Sequence, residues 1–117
     1  MELINNTLNL ETTRGDTFSF GLELDGVGDS VTAITFTCKN NFDDSANVFQ
    51  KTIGNGITLD HMDGDNAFYK VRIAPEDTAT LELGKYFYDI EVQANHDVFT
   101  IAKGALTITY DVTNGGN

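Results

Sequence analysis

Between residues 83 and 92 apolar and polar side chains alternate more strictly than anywhere else in the chain. Tyr86, Tyr88, Ile90 and Val92 fall on one face, and Lys85, Asp89 and Glu91 on the other. A period of two is the signature of a half-buried strand, and the run of Tyr86, Phe87 and Tyr88 marks it as the expected central one. The same alternation recurs along the chain. Over 17–24, Phe18, Phe20, Leu22 and Leu24 oppose Thr17, Ser19, Gly21 and Glu23. Over 31–39, Ile34, Phe36 and Cys38 oppose Thr35, Thr37 and Lys39. Over 67–73, Tyr69, Val71 and Ile73 point inward and Phe68, Lys70 and Arg72 outward. Shorter patterns predict a first strand opened by Leu8 and Leu10 after a loose lead-in, a strand over 48–53 with Phe49 and Ile53 on one face, and another over 57–62 with Ile57 and Leu59 on one face.

Turn chemistry separates these segments. Arg14-Gly15-Asp16, the glycine and aspartate loop at 25–30, Gly54-Asn55-Gly56 and Asn95-His96-Asp97 all favour reversals, and Asp63-Gly64-Asp65-Asn66 is the clearest hairpin. Residues 40–47, with Asn-Asp clusters around Phe42, read as a connection between edges. Pro75-Glu76-Asp77-Thr78 predicts a single helical turn, because Pro suits its first position and acids its positive end. Leu81 and Leu83 would tuck this crossover under the core. Near the C-terminus Phe99 and Ile101 are odd-numbered while Leu106, Ile108 and Tyr110 are even, so the inward phase must slip. A bulge at Lys103-Gly104 between the two halves of a last strand pair would do it.

Short strands at near-regular spacing without a long helix predict an all-β fold: an immunoglobulin-like two-sheet β-sandwich of 7–9 strands, with a one-turn helical crossover near 75–79. A small barrel is the alternative. The crossover leading into Gly84-x-Tyr86 resembles the corner that carries a tyrosine in immunoglobulin-like domains and favours the sandwich. There is no cysteine pair and no tryptophan, so the likeness would be one of topology. A single domain over 1–117 is expected, with loose termini at 1–6 and 114–117.

Charge narrows the range of partners. Seven Lys and Arg against 18 Asp and Glu leave a formal net charge of -11, which repels nucleic acid and anionic membrane surfaces. Such a charge also keeps a β protein soluble. Cys38 is the sole cysteine, so an internal disulfide and a cysteine metal cluster are excluded, and its place in the alternation makes it a small core residue. No basic-then-apolar leader and no membrane-length apolar run is present. The expectation is a protein made in the cytoplasm that stays there or leaves by assembly or lysis.

Three segments together resemble a group of bacteriophage and prophage domains similar to the N-terminal part of the phage baseplate upper protein. They are Arg14-Gly15-Asp16-Thr17-Phe18; Ala33-Ile34-Thr35-Phe36-Thr37; and Ile73-Ala74-Pro75-Glu76-Asp77-Thr78-Ala79 followed by Leu83-Gly84-Lys85-Tyr86-Phe87-Tyr88-Asp89-Ile90. Gly104-x-Leu106-x-Ile108 and Asp111-Val112-Thr113 also fit, so the resemblance runs from Arg14 to Thr113. It implies a non-enzymatic β-sandwich in a virion, tail, tail fibre or baseplate, docking on other phage tail or baseplate proteins and a candidate homo-oligomer. With Asn117 as the last residue and no coiled-coil or receptor-binding region after the domain, the expectation is either a free-standing accessory protein or a role that does not transfer from the larger proteins of that group.

Candidate sites each have a plainer reading. Arg14-Gly15-Asp16 spells an adhesion tripeptide but also builds a turn. Asp60, Asp63, Asp65 and Asn66 could offer oxygens to calcium, yet the spacing is not that of an EF-hand, and a solvated hairpin tip explains them. His61 and His96 lack zinc-type spacing. No nucleophile, base and orienting group converge in the sequence, so no catalytic residue, metal or cofactor is expected. Phe68 and Phe87 lie opposite the inward faces of their strands and could share the wet side of a sheet, either as an interface or covered by Phe42 from the 40–47 connection. The alternative function is a carbohydrate-binding or host-adhesion module using Tyr69, Tyr110 or Phe87; the absence of Trp counts against it.

Overall fold

The computed structural model describes residues 6–7, 9–41 and 43–110. Its strands are β1 (Asn6–Thr7), β2 (Leu10–Thr13), β3 (Phe18–Leu24), β4 (Val31–Lys39), β5 (Phe49–Ile53), β6 (Gly56–Asp63), β7 (Asn66–Ile73), β8 (Gly84–Ala94) and β9 (Asp97–Thr109), with a helical turn α1 (Pro75–Thr78) between β7 and β8. The all-β expectation holds, and the helical turn sits where Pro75 starts it. Hydrogen bonding orders the strands β1-β9-β8-β4-β5-β6-β7-β3, with β2 also on β9. Both β1 and β2 run parallel to β9, so part of the lead-in expected to be loose is paired.

Between β5 and β6 the link is thin. Two parallel pairs, Thr52 with Gly56 and Ile53 with Ile57, join them as the chain turns through Gly54 and Asn55. That turn needs left-handed backbone, with φ of 89° at Gly54 and 95° at Gly56. In hydrogen-bond terms the strands therefore form one continuous mixed sheet, curled into a nearly closed barrel, rather than two separate sheets.

The predicted central strand is central. β8 pairs antiparallel with β4 on one side and β9 on the other, and Tyr86, Tyr88, Ile90 and Val92 are all buried. Phe36 and Tyr88 stack at 5.2 Å, and Phe49 and Phe20 close round Phe36 at 5.9 and 6.0 Å. Ile34, Phe36 and Cys38 from β4 and Val71 and Ile73 from β7 complete an interior with no solvent exposure. Aromatics and branched aliphatics pack together in it.

Several inward assignments change. In β5 the buried residue is Lys51, whereas Ile53 is 42% exposed. Leu59 is 51% exposed, because β5 accompanies β6 only as far as Ile57 and a bulge at Asp60 then shifts the β6–β7 register. The last strand pair is a single strand, β9, and its phase slips at Ile101 rather than at Lys103-Gly104. Ile90 pairs with Ala102 and Glu91 with Thr100, so Ile101 is the extra residue and both Ile101 and Ala102 turn inward. Tyr110 follows the end of β9 and is 53% exposed.

Candidate docking surfaces

Among the described residues, the clefts that gather polar side chains lie on the outer faces. The β8–β9 hairpin closes on Asn95 and His96 with φ of 54° and 66°, the two positive values of a primed hairpin turn. The loop before β4 lies alongside, and Asp29, Ser30, Thr32, Gln93, His96 and Val98 line a shallow cleft of about 600 Å³. On the outer face of β4 and β8 a second groove, about 450 Å³, is almost wholly polar, with Thr35, Thr37, Gln50, Asp89 and Glu91 in its walls.

The third surface holds Phe68. It projects from the outer face of β7 opposite His61 of β6, and the rings lie flat on one another at 4.3 Å and 6°. Asp60 holds the imidazole through Nδ1 at 2.7 Å. One face of the phenyl ring is thus already occupied, which counts against Phe68 as an open platform for a sugar. Beside it Gly21 of β3 contributes no side chain, and Ser19, Glu23, Lys70 and Phe68 bound a groove of about 470 Å³.

Phe87 belongs elsewhere. It is half-buried on the outer face of β8, in register with Lys39 of β4 and Ala105 of β9. Three strands separate β8 from β7 on the hydrogen-bonded path, which at the usual spacing is about 19 Å along the sheet. The expected patch shared by Phe68 and Phe87 is therefore not formed. Phe42 lies outside the described residues.

The other sequence candidates have local structural uses. Arg14 donates to the Leu81 carbonyl at 3.3 Å, and the Gly15 amide donates to Thr78 Oγ1 at 2.8 Å. The tripeptide turn, with Gly15 at φ 82° and the Asp16 amide on the Thr13 carbonyl at 3.1 Å, is docked on the crossover. At the 63–66 hairpin the Asn66 side-chain oxygen accepts from the Gly26 amide at 3.1 Å, and the Asp65 carbonyl from the Gly28 amide at 2.8 Å. Among the described residues no three His, Cys, Asp or Glu gather as a metal site would require. Nearby, the Glu23 carboxyl is pushed above its ordinary range, first by its hydrogen bond to Asp25 and then by the charges of Asp25 and Asp63. Among the described residues no helix is long and apolar enough to cross a membrane.

What the alternation missed is an ion pair at one end of the barrel. Lys51 Nζ meets Asp77 Oδ2 at 2.6 Å, and both side chains are largely enclosed. The same carboxylate accepts the Ala74 amide at 2.7 Å, reaching back over the start of α1. A signal was available: Lys51 is in phase with Phe49.

No family model matches this chain, and no curated protein matches it. Among solved structures it is similar to a family 123 glycoside hydrolase from Clostridium perfringens described for glycolipid glycan hydrolysis, with TM-score 0.47 and 14% identity, over 89% of this chain and 23% of that one. The chain spans less than a quarter of that enzyme's length.

Proposed function

We propose that this chain is a non-enzymatic docking module of a bacteriophage or prophage particle, attached to a tail, tail fibre or baseplate through protein contacts. The observation that supports the docking reading is the apolar core of Phe36, Tyr88 and their neighbours, with the clefts among the described residues lying on outer faces. The place in a virion rests on the order of the Arg14-Gly15-Asp16, Pro75-Glu76-Asp77-Thr78 and Gly84-x-Tyr86 segments.

The finer fold is proposed with it: an immunoglobulin-like sandwich whose two sheets are β6-β7-β3 and β5-β4-β8-β9-β2. The thin β5–β6 link would then be the point where the chain crosses between sheets. Strand pairing supports this, since the third, sixth and seventh strands group apart from the fourth, eighth and ninth, as in domains of that class. Tyr88 stands two residues after the corner tyrosine, where antibody domains carry a cysteine, and packs on Phe36 instead.

The test is stoichiometry. Particles of a phage encoding this chain, purified by density gradient and quantified by mass spectrometry, should contain it at a fixed copy number per virion. A chain that stays wholly in the soluble lysate overturns the virion role.

A further inference from the structure

Among the described residues strand β3 has one neighbour. Phe18–Leu24 pair with β7 along one edge; on the other, among the described residues, the path simply ends, and β2, which leads into β3, pairs with β9. The strand shows none of the usual edge protection by Pro, Lys or a bulge, and Glu23 is its single charge. Its inner-face side chains Phe18, Phe20 and Leu22 pack against the core yet stay only partly buried. Directly across, Tyr69, Val71 and Ile73 of β7 are buried. Among the described residues the apolar row is unfinished on that outer side.

We propose that a second copy of this chain finishes it: two β3 strands pair antiparallel about a two-fold axis at Gly21, so that each sheet continues into the other. The sequence Phe-Ser-Phe-Gly-Leu-Glu-Leu is self-complementary about that point. Gly21 meets Gly21, Phe20 meets Leu22 and Phe18 meets Leu24, so apolar residues face apolar ones. Glu23 meets Ser19 and never its own copy.

Charge favours the same register. Within one chain Ser19 lies beside Arg72 and Gly21 beside Lys70. In the dimer the partner's Glu23 joins the row of Ser19 and Arg72, two strand spacings or about 9.6 Å from Arg72. Only a serine stands between them, so the two long side chains can meet above it. Inside its own chain Glu23 faces Asp25 and Asp63, and a guanidinium supplied across the axis relieves that repulsion. The net charge of -11 opposes close approach of two copies, so the dimer is a weak, concentration-dependent one. Self-pairing at β3 holds or fails independently of the virion role.

Two experiments on the full chain test it. Sedimentation equilibrium should show a species of twice 12.8 kDa growing with concentration. Oxidised Gly21→Cys should become a covalent dimer, because Cα atoms facing each other across an antiparallel pair are about 4.5–5.5 Å apart, within disulfide range. A Cβ at this position meets the Tyr69 carbonyl at 3.8 Å, an ordinary contact, so the fold has room for the substitution, and Cys38 is buried and does not compete. Thr58→Cys, exposed on β6, should not crosslink. Glu23→Arg should raise the dissociation constant about tenfold, and adding Arg72→Glu should bring it back to within about threefold. A chain monomeric up to about 1 mM overturns the proposal; so does a dimer that Gly21→Cys fails to trap, or that Thr58→Cys traps equally well.

Discussion

The hydroxyl of Tyr86 donates a 2.8 Å hydrogen bond to the carbonyl of Glu82, four residues back along the chain. The ring is buried at the start of β8 while the bond ties down the crossover that follows α1. Burial, then the Glu82 charge, pushes the phenol up from its ordinary pKa; the hydroxyl therefore stays protonated and able to donate.

Tyr86→Phe keeps the ring and removes only this bond. The expected cost is about 1 kcal/mol, with the Glu82 carbonyl left to water. Urea denaturation at pH 7 measures it. A variant as stable as the parent would mean that packing alone holds the corner.

The Lys51–Asp77 pair should behave as an enclosed ion pair. Asp77→Ala strands the ammonium at the barrel end and also removes the acceptor for the Ala74 amide; the expected loss is about 3 kcal/mol. Lys51→Met fills similar volume without charge, so the double variant should lose clearly less than the two single losses summed. Simple additivity in chemical denaturation would show that the two groups do not interact. Gly56 depends on the same lysine: a Cβ there would lie 2.6 Å from Lys51 Cδ and 3.1 Å from the Arg72 carbonyl, at a φ of 95°, so Gly56→Ala should cost about 2 kcal/mol.

Cys38 offers a direct probe of the interior. It is fully buried in β4, and burial pushes its thiol up to about 12. The thiolate is the reactive form, so at pH 8 a soluble disulfide reagent should modify it only as fast as the chain opens. Labelling should rise steeply across the urea transition. Rapid reaction in native buffer would contradict the packing of Phe36 and Tyr88 above it.

How much of this was legible in the sequence depended on how fully each strand was enclosed. In β4, β7 and β8 one face is buried without a break from Ile34 to Cys38, Ala67 to Ile73 and Tyr86 to Ala94, and strict alternation identified Phe36, Val71 and Tyr88 without error. In β5 and β6 the neighbours are incomplete, and there the pattern misassigned Ile53 and Leu59. Lys51 shares the face of Phe49, but its enclosure drew no expectation because its partner Asp77 lies in a different element, and periodicity carries no information about which elements meet. The β9 slip was visible in the sequence, but glycine drew its expected place to Gly104, whereas the inserted residue is Ile101. The separation of Phe68 from Phe87 follows from strand order, which no local pattern encodes.

Glu23 gives a prediction whose sign is fixed by its neighbours. Its folded pKa is raised by Asp25 and Asp63, so the chain binds a proton there more tightly folded than unfolded. The stability this contributes is fully present below the ordinary carboxylate pKa and is lost as pH rises through the raised value. At pH 7 the ionised group therefore works against the fold. Glu23→Gln, at a dilute concentration where the chain is a monomer, should melt higher than the parent at pH 7, and the gap should narrow as pH falls toward 4. Since the carboxylates are exposed, salt should shrink the gap as well. A gap that widens in acid would place the source of the shift elsewhere than in carboxylate repulsion.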